Sequence, residues 1–125
     1  MKNYAIKEHH LYDKAFRKGN RFVGKCVAVY VLRDYAAKRL MLANPEKKYL
    51  NRVGLSVGKK IGGAVQRNRA KRILREAYRE VRNEGLATGY LVILAAREEI
   101  RGKKTGQVAA ELRRAFRHLG LRQET

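Results

Sequence analysis

Tryptophan is missing from the 125-residue chain, and cysteine and proline occur once each, as Cys26 and Pro45. A lone cysteine closes no internal disulfide, which fits a reducing cytoplasm. Long apolar runs are missing as well. None approaches the ~18–20 residues that a helix needs to span a bilayer, so no membrane partner is expected. The N-terminal stretch MKNYAIKEHHLYDKAF has neither an apolar core nor a small-residue cleavage site, so no secretory signal is expected either. Repeats and low-complexity segments are likewise absent.

Acidic residues are few, 11 against 30 Lys and Arg, and the formal net charge is +19 with a pI near 10.6. Hydrophobic residues still make up 45% of the chain, enough to build a core, so this is not a basic disordered tail. The length suits one domain, residues 1–125, around one core. A globular domain this basic repels itself unless a polyanion neutralises it, and release of counterions from phosphate makes nucleic acid the expected partner.

Along the chain, EHHLYDKAFRKG reads as a short helix, with Leu11, Tyr12, Ala15 and Phe16 at helical spacing and Gly19 closing it. RFVGKCVAVYVL alternates as one strand. Val23, Lys25, Val27, Val29 and Val31 fall on one face; Phe22, Gly24, Cys26, Ala28 and Tyr30 fall on the other. Residues 33–52 form a long charged connection with room for a helical turn. VGLSV is a second strand, and GYLVILAA a third, apolar enough to be central. Between them a helix is expected from near Asn68 to about Asn83. A last amphipathic helix follows Thr105, with Val108, Leu112, Ala115, Phe116 and Leu119 on its apolar face. The order predicts an α+β fold, a two-layer sandwich with helices on one side of a small sheet.

The densest charge lies in KKIGGAVQRNRAKRILREAYR, residues 59–79. At ~100° per residue, Ala70, Ile73, Leu74, Ala77, Tyr78 and Val81 gather on a core face. Asn68, Lys71, Arg72, Arg75, Arg79 and Arg82 fall within an opposite arc of roughly 100°. Glu76 and Glu80 lie on a flank near Arg69. A solvated face mixes its signs in i,i+4 pairs; here the signs are sorted, which suits a stripe that follows phosphates. Ahead of the helix, Gly58, Gly62 and Gly63 let the backbone turn beside Lys59, Lys60 and Arg67. GLSVGKKIGG is not a nucleotide phosphate loop, because the spacing is wrong and no hydroxyl follows the lysine.

Catalytic constellations are not evident. His9, His10 and His118 lack zinc-site spacing. Glu98 and Glu99 are adjacent, and Cys26 and Ser56 sit on strands with no evident base nearby. No convincing set of carboxylates for a metal-dependent nuclease emerges.

RVGLSVGKKIGGAVQRNRAKRILREAYR resembles the signature of the bacterial ribonuclease P protein subunit: a strand ending in a lysine pair, a glycine turn, then an Arg-Asn-Arg helix. LYDKAFRKG, the strand after it and GYLVILAAR extend the likeness over most of the chain. The 33–52 connection departs from it by its length. The resemblance implies a small mixed sheet with a left-handed βαβ crossover through the basic helix, as in the second domain of a ribosomal small-subunit protein; the general rule alone predicts a right-handed one.

The resemblance further implies a chain that joins a catalytic RNA and helps it remove the 5′ leader of precursor tRNA. The RNA performs the endonucleolytic cut, and Mg²⁺ is held mainly by the RNA. Arg67, Asn68, Arg69, Lys71, Arg72 and Arg75 then match the RNA-facing positions, with Lys59 and Lys60 at their approach and Arg79 continuing the stripe. Tyr12, Phe16 and Tyr30 match the aromatics of a leader-binding groove. Tyr12 and Phe16 are i,i+4 neighbours, and small residues flank Tyr30 on its predicted strand face. On the residues alone a core role suits these aromatics better. A purely structural RNA-binding protein, such as a ribosomal protein, is the alternative; it needs the stripe but no groove.

Overall fold

The computed structural model describes residues 4–6, 9–34 and 51–122. The first apolar repeat forms helix α1, His9–Lys18. Five strands follow the β-branched and alternating segments: β1 Tyr4–Ala5, β2 Asn20–Val23, β3 Val27–Arg33, β4 Arg52–Ser56 and β5 Tyr90–Ala96. They form one sheet in the order β1-β4-β5-β3-β2. β4 pairs parallel with β1 and β5, whereas β3 pairs antiparallel with β5 and β2, so the sheet is mixed as expected. The parallel neighbours β4 and β5 are joined through α2, Ala64–Arg82, and α3, Thr105–His118, closes the fold. The α+β class stands.

β5 sits centrally, and Leu91 to Leu94 are all buried, so both faces of the sheet are covered. On one face Val27, Val29, Val31, Val92 and Leu94 pack with Ala70, Ile73, Leu74, Ala77, Tyr78 and Val81 of α2 and Val108, Leu112, Ala115 and Phe116 of α3. On the other, Leu91 and Ile93 pack with Ile6, Ala15, Leu11, Tyr12, Tyr30 and Leu32. The helices therefore do not all lie on one side: α1 covers the face opposite α2 and α3. A central strand apolar on both faces requires a layer on each.

Two further expectations change. The basic helix begins one turn earlier, at Ala64 after Gly63, so Arg67 and Asn68 lie inside it. The apolar alternation from 21 to 32 is not one strand but a hairpin, turning at 24–26. Phe22 pairs with Val29 and Val23 with Ala28, so the turn reverses the parity of the two faces. Cys26 thereby joins the large core instead of lining the face of Tyr30.

Glu111 of α3 holds that turn. Its carboxylate is 3% exposed and accepts hydrogen bonds from the backbone N–H of Lys25, Cys26 and Val27 at 2.5, 2.9 and 3.1 Å, and from the Cys26 thiol at 2.5 Å. Burial pushes this carboxyl up, but the thiol and the three N–H groups outweigh it and hold its pKa below the ordinary 4.5.

Most of the 33–52 connection lies outside the described residues, but its ends are fixed. Arg52 donates through Nε and Nη2 to Asp34 at 2.7 and 2.8 Å, a largely buried bidentate pair. Buried Asn51 donates to the Ala87 carbonyl at 2.9 Å and accepts from the Tyr90 N–H at 3.0 Å.

Candidate nucleic-acid interface

α2 presents its charge in the sorted manner the wheel requires. Its six expected core residues are all buried, while Asn68, Arg72, Arg75 and Arg79 are exposed and Lys71 and Arg82 half-buried beside them. The acidic flank is engaged elsewhere. Arg113 of α3 pairs with Glu80 at 3.2 Å and Glu84 at 2.8 Å, Arg122 reaches Glu84 at 3.1 Å, and Thr105 donates to Glu76 at 3.1 Å. α3 thus draws the carboxylates of α2 away from the stripe. Arg69 goes with that flank: its Nη2 donates to the Lys103 carbonyl at 2.8 Å. Arg67 is half-buried, with Nε enclosed and without a hydrogen-bond partner.

Lys59 and Lys60 stand exposed on a short 3₁₀ turn, Lys59–Ile61, anchored by buried Ile61. Gly62 then takes φ +133°, a conformation that side chains rarely adopt, and swings the chain into α2. The stripe and the lysine pair are therefore consecutive. A second 3₁₀ turn, Glu98–Ile100, faces the first across an open cavity of about 710 Å³ lined by Lys25, Lys59, Lys60, Arg97, Glu98 and Glu99.

The three aromatics come together on the other face of the sheet. Phe16 meets Tyr30 edge-to-face with centroids 4.7 Å apart, and Phe16 remains 38% exposed. Tyr12, one turn back on α1, is half-buried against β4 at Gly54. Beside them the strand register sets a row of small residues. Ala28 of β3 pairs with Ala95 of β5, and Ala95 with Ser56 of β4, with exposed Val23 of β2 at the outer end. Small residues thus run beside the aromatic rings on this face, with Ala28 buried and Ala95 and Ser56 half-buried.

Of the small residues expected to flank Tyr30, only Ala28 does so. Gly24 instead lies in the hairpin turn against the Glu111 carboxylate. Ala95, Ser56 and Arg21, which pairs with Tyr30, were not picked out for this face. Their signal was the cross-strand register, which needs the pairing of three strands.

Among the described residues, no group of three or more His, Cys, Asp or Glu side chains could hold a metal ion, and no helix is long and apolar enough to cross a membrane. His118 packs its ring on Phe22 at 5.4 Å. The Cys26 thiol is pushed up to about 12 by burial and then by Glu111, which favours its protonated form.

The family model described as Ribonuclease P matches residues 1–120. A ribonuclease P protein component of Oceanobacillus iheyensis is 33% identical over 124 residues, spanning 99% of this chain and 93% of its own. One of Clostridium acetobutylicum is 30% identical over 121 residues, 97% and 92% of the two chains. The solved RNase P protein of Staphylococcus aureus superposes with a TM-score of 0.71 at 27% identity, covering 96% of this chain and 98% of that one. The RNase P protein from Thermotoga maritima shares the fold, with a TM-score of 0.68 at 17% identity.

Proposed function

The chain belongs to the ribonuclease P protein family, and from that premise we propose that it binds the catalytic RNA through α2 and the single-stranded 5′ leader of precursor tRNA through the aromatic groove. The observation that carries the reading is the Phe16–Tyr30 pair, with Phe16 38% exposed on the sheet face that also carries Ala28, Ala95 and Ser56. A ring that served only the core would be covered, as Phe116 is. Bases have π-faces whatever their identity, so an aromatic wall accepts leaders of varied sequence.

The division of labour follows from side-chain chemistry. Arg72, Arg75 and Arg79, with Lys59 and Lys60, neutralise phosphates and release counterions. Tyr12, Phe16 and Tyr30 stack on unpaired bases. As the family membership implies, the RNA cuts the phosphodiester, and this chain holds the substrate in register for endonucleolytic removal of the leader. Mg²⁺ would supply charge stabilisation at the reacting phosphate and would be held mainly by RNA; the cations and aromatics at both surfaces of the chain are unsuited to ligate it. The working compartment is the bacterial cytoplasm, where precursor tRNA is made.

The test is cleavage of precursor tRNA at low Mg²⁺ by the catalytic RNA alone and with the chain added. Site-specific cleavage should rise on addition, and the chain alone should cut nothing at any Mg²⁺ concentration. No enhancement would leave a structural RNA-binding role. Cleavage by the chain alone, abolished by a point substitution, would overturn the assignment of chemistry to the RNA.

A further inference from the structure

Gly54 occupies the middle of β4, paired with Ile93, where a glycine weakens a strand without providing a turn. Its φ is not positive, so no backbone conformation demands it. The demand comes from α1. A Cβ at residue 54 would stand 2.4 Å from the Oη of Tyr12, 2.6 Å from Cζ and 2.7 Å from Cε1. The outer edge of the Tyr12 ring therefore lies on bare backbone. Ile6, Ala15, Leu91 and Ile93 form the cluster that closes around it.

We infer that Gly54 is a positioning residue of the RNA groove: it seats the Tyr12 ring against β4 and so fixes how α1 holds Tyr12 and Phe16 over this face of the sheet. The inference rests on the reading of that groove as the leader site. With a methyl at 54, the ring must retreat by about 1 Å, the gap between 2.4 Å and the 3.4 Å at which ordinary contact begins. Either the ring rises into the groove or α1 lifts from the sheet. If the ring rises it takes the space of a stacked base; if α1 lifts, Phe16, one turn on along the same helix, moves with it and its 4.7 Å contact with Tyr30 is disturbed. Base stacking depends on contact near 3.5–4.0 Å, so a shift of this size removes much of the attraction. Ser56, two residues along β4 on the same face, stays in place.

The experiment is a four-variant cycle in the reconstituted holoenzyme: parent, Gly54→Ala, Tyr12→Ala and the two combined, each measured for affinity to precursor and to mature tRNA. Gly54→Ala should weaken precursor binding several-fold and leave mature tRNA within about twofold. In the Tyr12→Ala background it should change nothing further, because no ring remains to be displaced. An unchanged precursor-to-mature ratio in Gly54→Ala, or the same loss with and without the Tyr12 ring, would overturn the inference.

Phe16→Ala separates this from the underlying reading. A selective precursor loss in Phe16→Ala with Gly54→Ala silent sinks the role of Gly54 alone; no selective loss in Phe16→Ala sinks the groove itself. If Gly54→Ala fails to fold, the double variant should regain a cooperative melt. Tyr12→Leu, which keeps apolar contact with β4 but has no ring, then carries the test. An unchanged ratio there would overturn the role of the ring and of its seat.

Discussion

Phe16 and Glu111 are both single side chains on helices, with opposite consequences when altered. Phe16 is partly exposed and touches Tyr30 at its edge. Phe16→Ala should therefore weaken precursor tRNA binding between several-fold and roughly a hundred-fold, from ~1–3 kcal/mol per stacked base, and leave mature tRNA nearly unaffected. Its melting temperature should fall far less than after truncation of a fully buried phenylalanine such as Phe116. Equal losses for both RNAs would refute the stacking role. Glu111 acts on stability. A carboxyl held below its unfolded pKa contributes stability that is complete above about 4.5 and is lost as pH falls through the folded value. Glu111→Gln should lower the melting temperature at neutral pH, and the parent's excess stability should shrink on acidification below about pH 5. A pH-independent difference between the two would show that the carboxylate charge is not what holds the turn.

At the scale of an element, α2 was almost fully legible. Its period, its six buried positions and its sorted charge all follow from local spacing, and only the first turn was missed. The hairpin was not legible, because the apolar alternation runs unbroken through Val23, Gly24, Lys25 and Cys26 while the backbone turns there. The agent of the turn, Glu111, is 84 to 86 residues away, and no local pattern reports such a partner. The aromatic face fell between these cases: the leader-binding role of Tyr12, Phe16 and Tyr30 is implied by resemblance alone, and the small residues beside Tyr30 depend on cross-strand register, so that of those expected there only Ala28 stands on its face. For α2 itself, Arg72→Ala combined with Arg75→Ala should weaken assembly with the catalytic RNA. It should also reduce the log–log salt slope by roughly 0.7–0.9 for each phosphate contact removed. Folding should be unaffected, since both side chains are exposed. Unchanged affinity and slope would mean that this face is merely solvated.

Over the whole molecule, the sheet is a partition. The stripe of α2 points away from the core on one face, and the aromatics Tyr12, Phe16 and Tyr30 lie on the other, with β5 between them. On the proposed reading, two RNA segments are held without sharing a side chain, which suits a chain with a net charge of +19 and acidic residues drawn into α2–α3 contacts. The two surfaces should therefore act independently. The precursor-to-mature ratio lost in Phe16→Ala should be the same in the Arg72→Ala/Arg75→Ala background, within about 0.5 kcal/mol, when the holoenzyme is fully assembled. A larger coupling would show that the leader and the catalytic RNA compete for, or jointly shape, one surface.

The single thiol has a practical consequence. Cys26 is 5% exposed, lies under the α3 carboxylate and has its pKa pushed up to about 12. At neutral pH such a thiol stays protonated, so an alkylating reagent finds almost nothing to react with while α3 covers the hairpin. Labelling of Cys26 is then a clock for the opening of the fold. Its rate should climb with denaturant as steeply as the global unfolding transition, and bound RNA should slow it in proportion to the stability gained. The native chain should also accept a reporter dye at an introduced surface cysteine with its own thiol left unmarked.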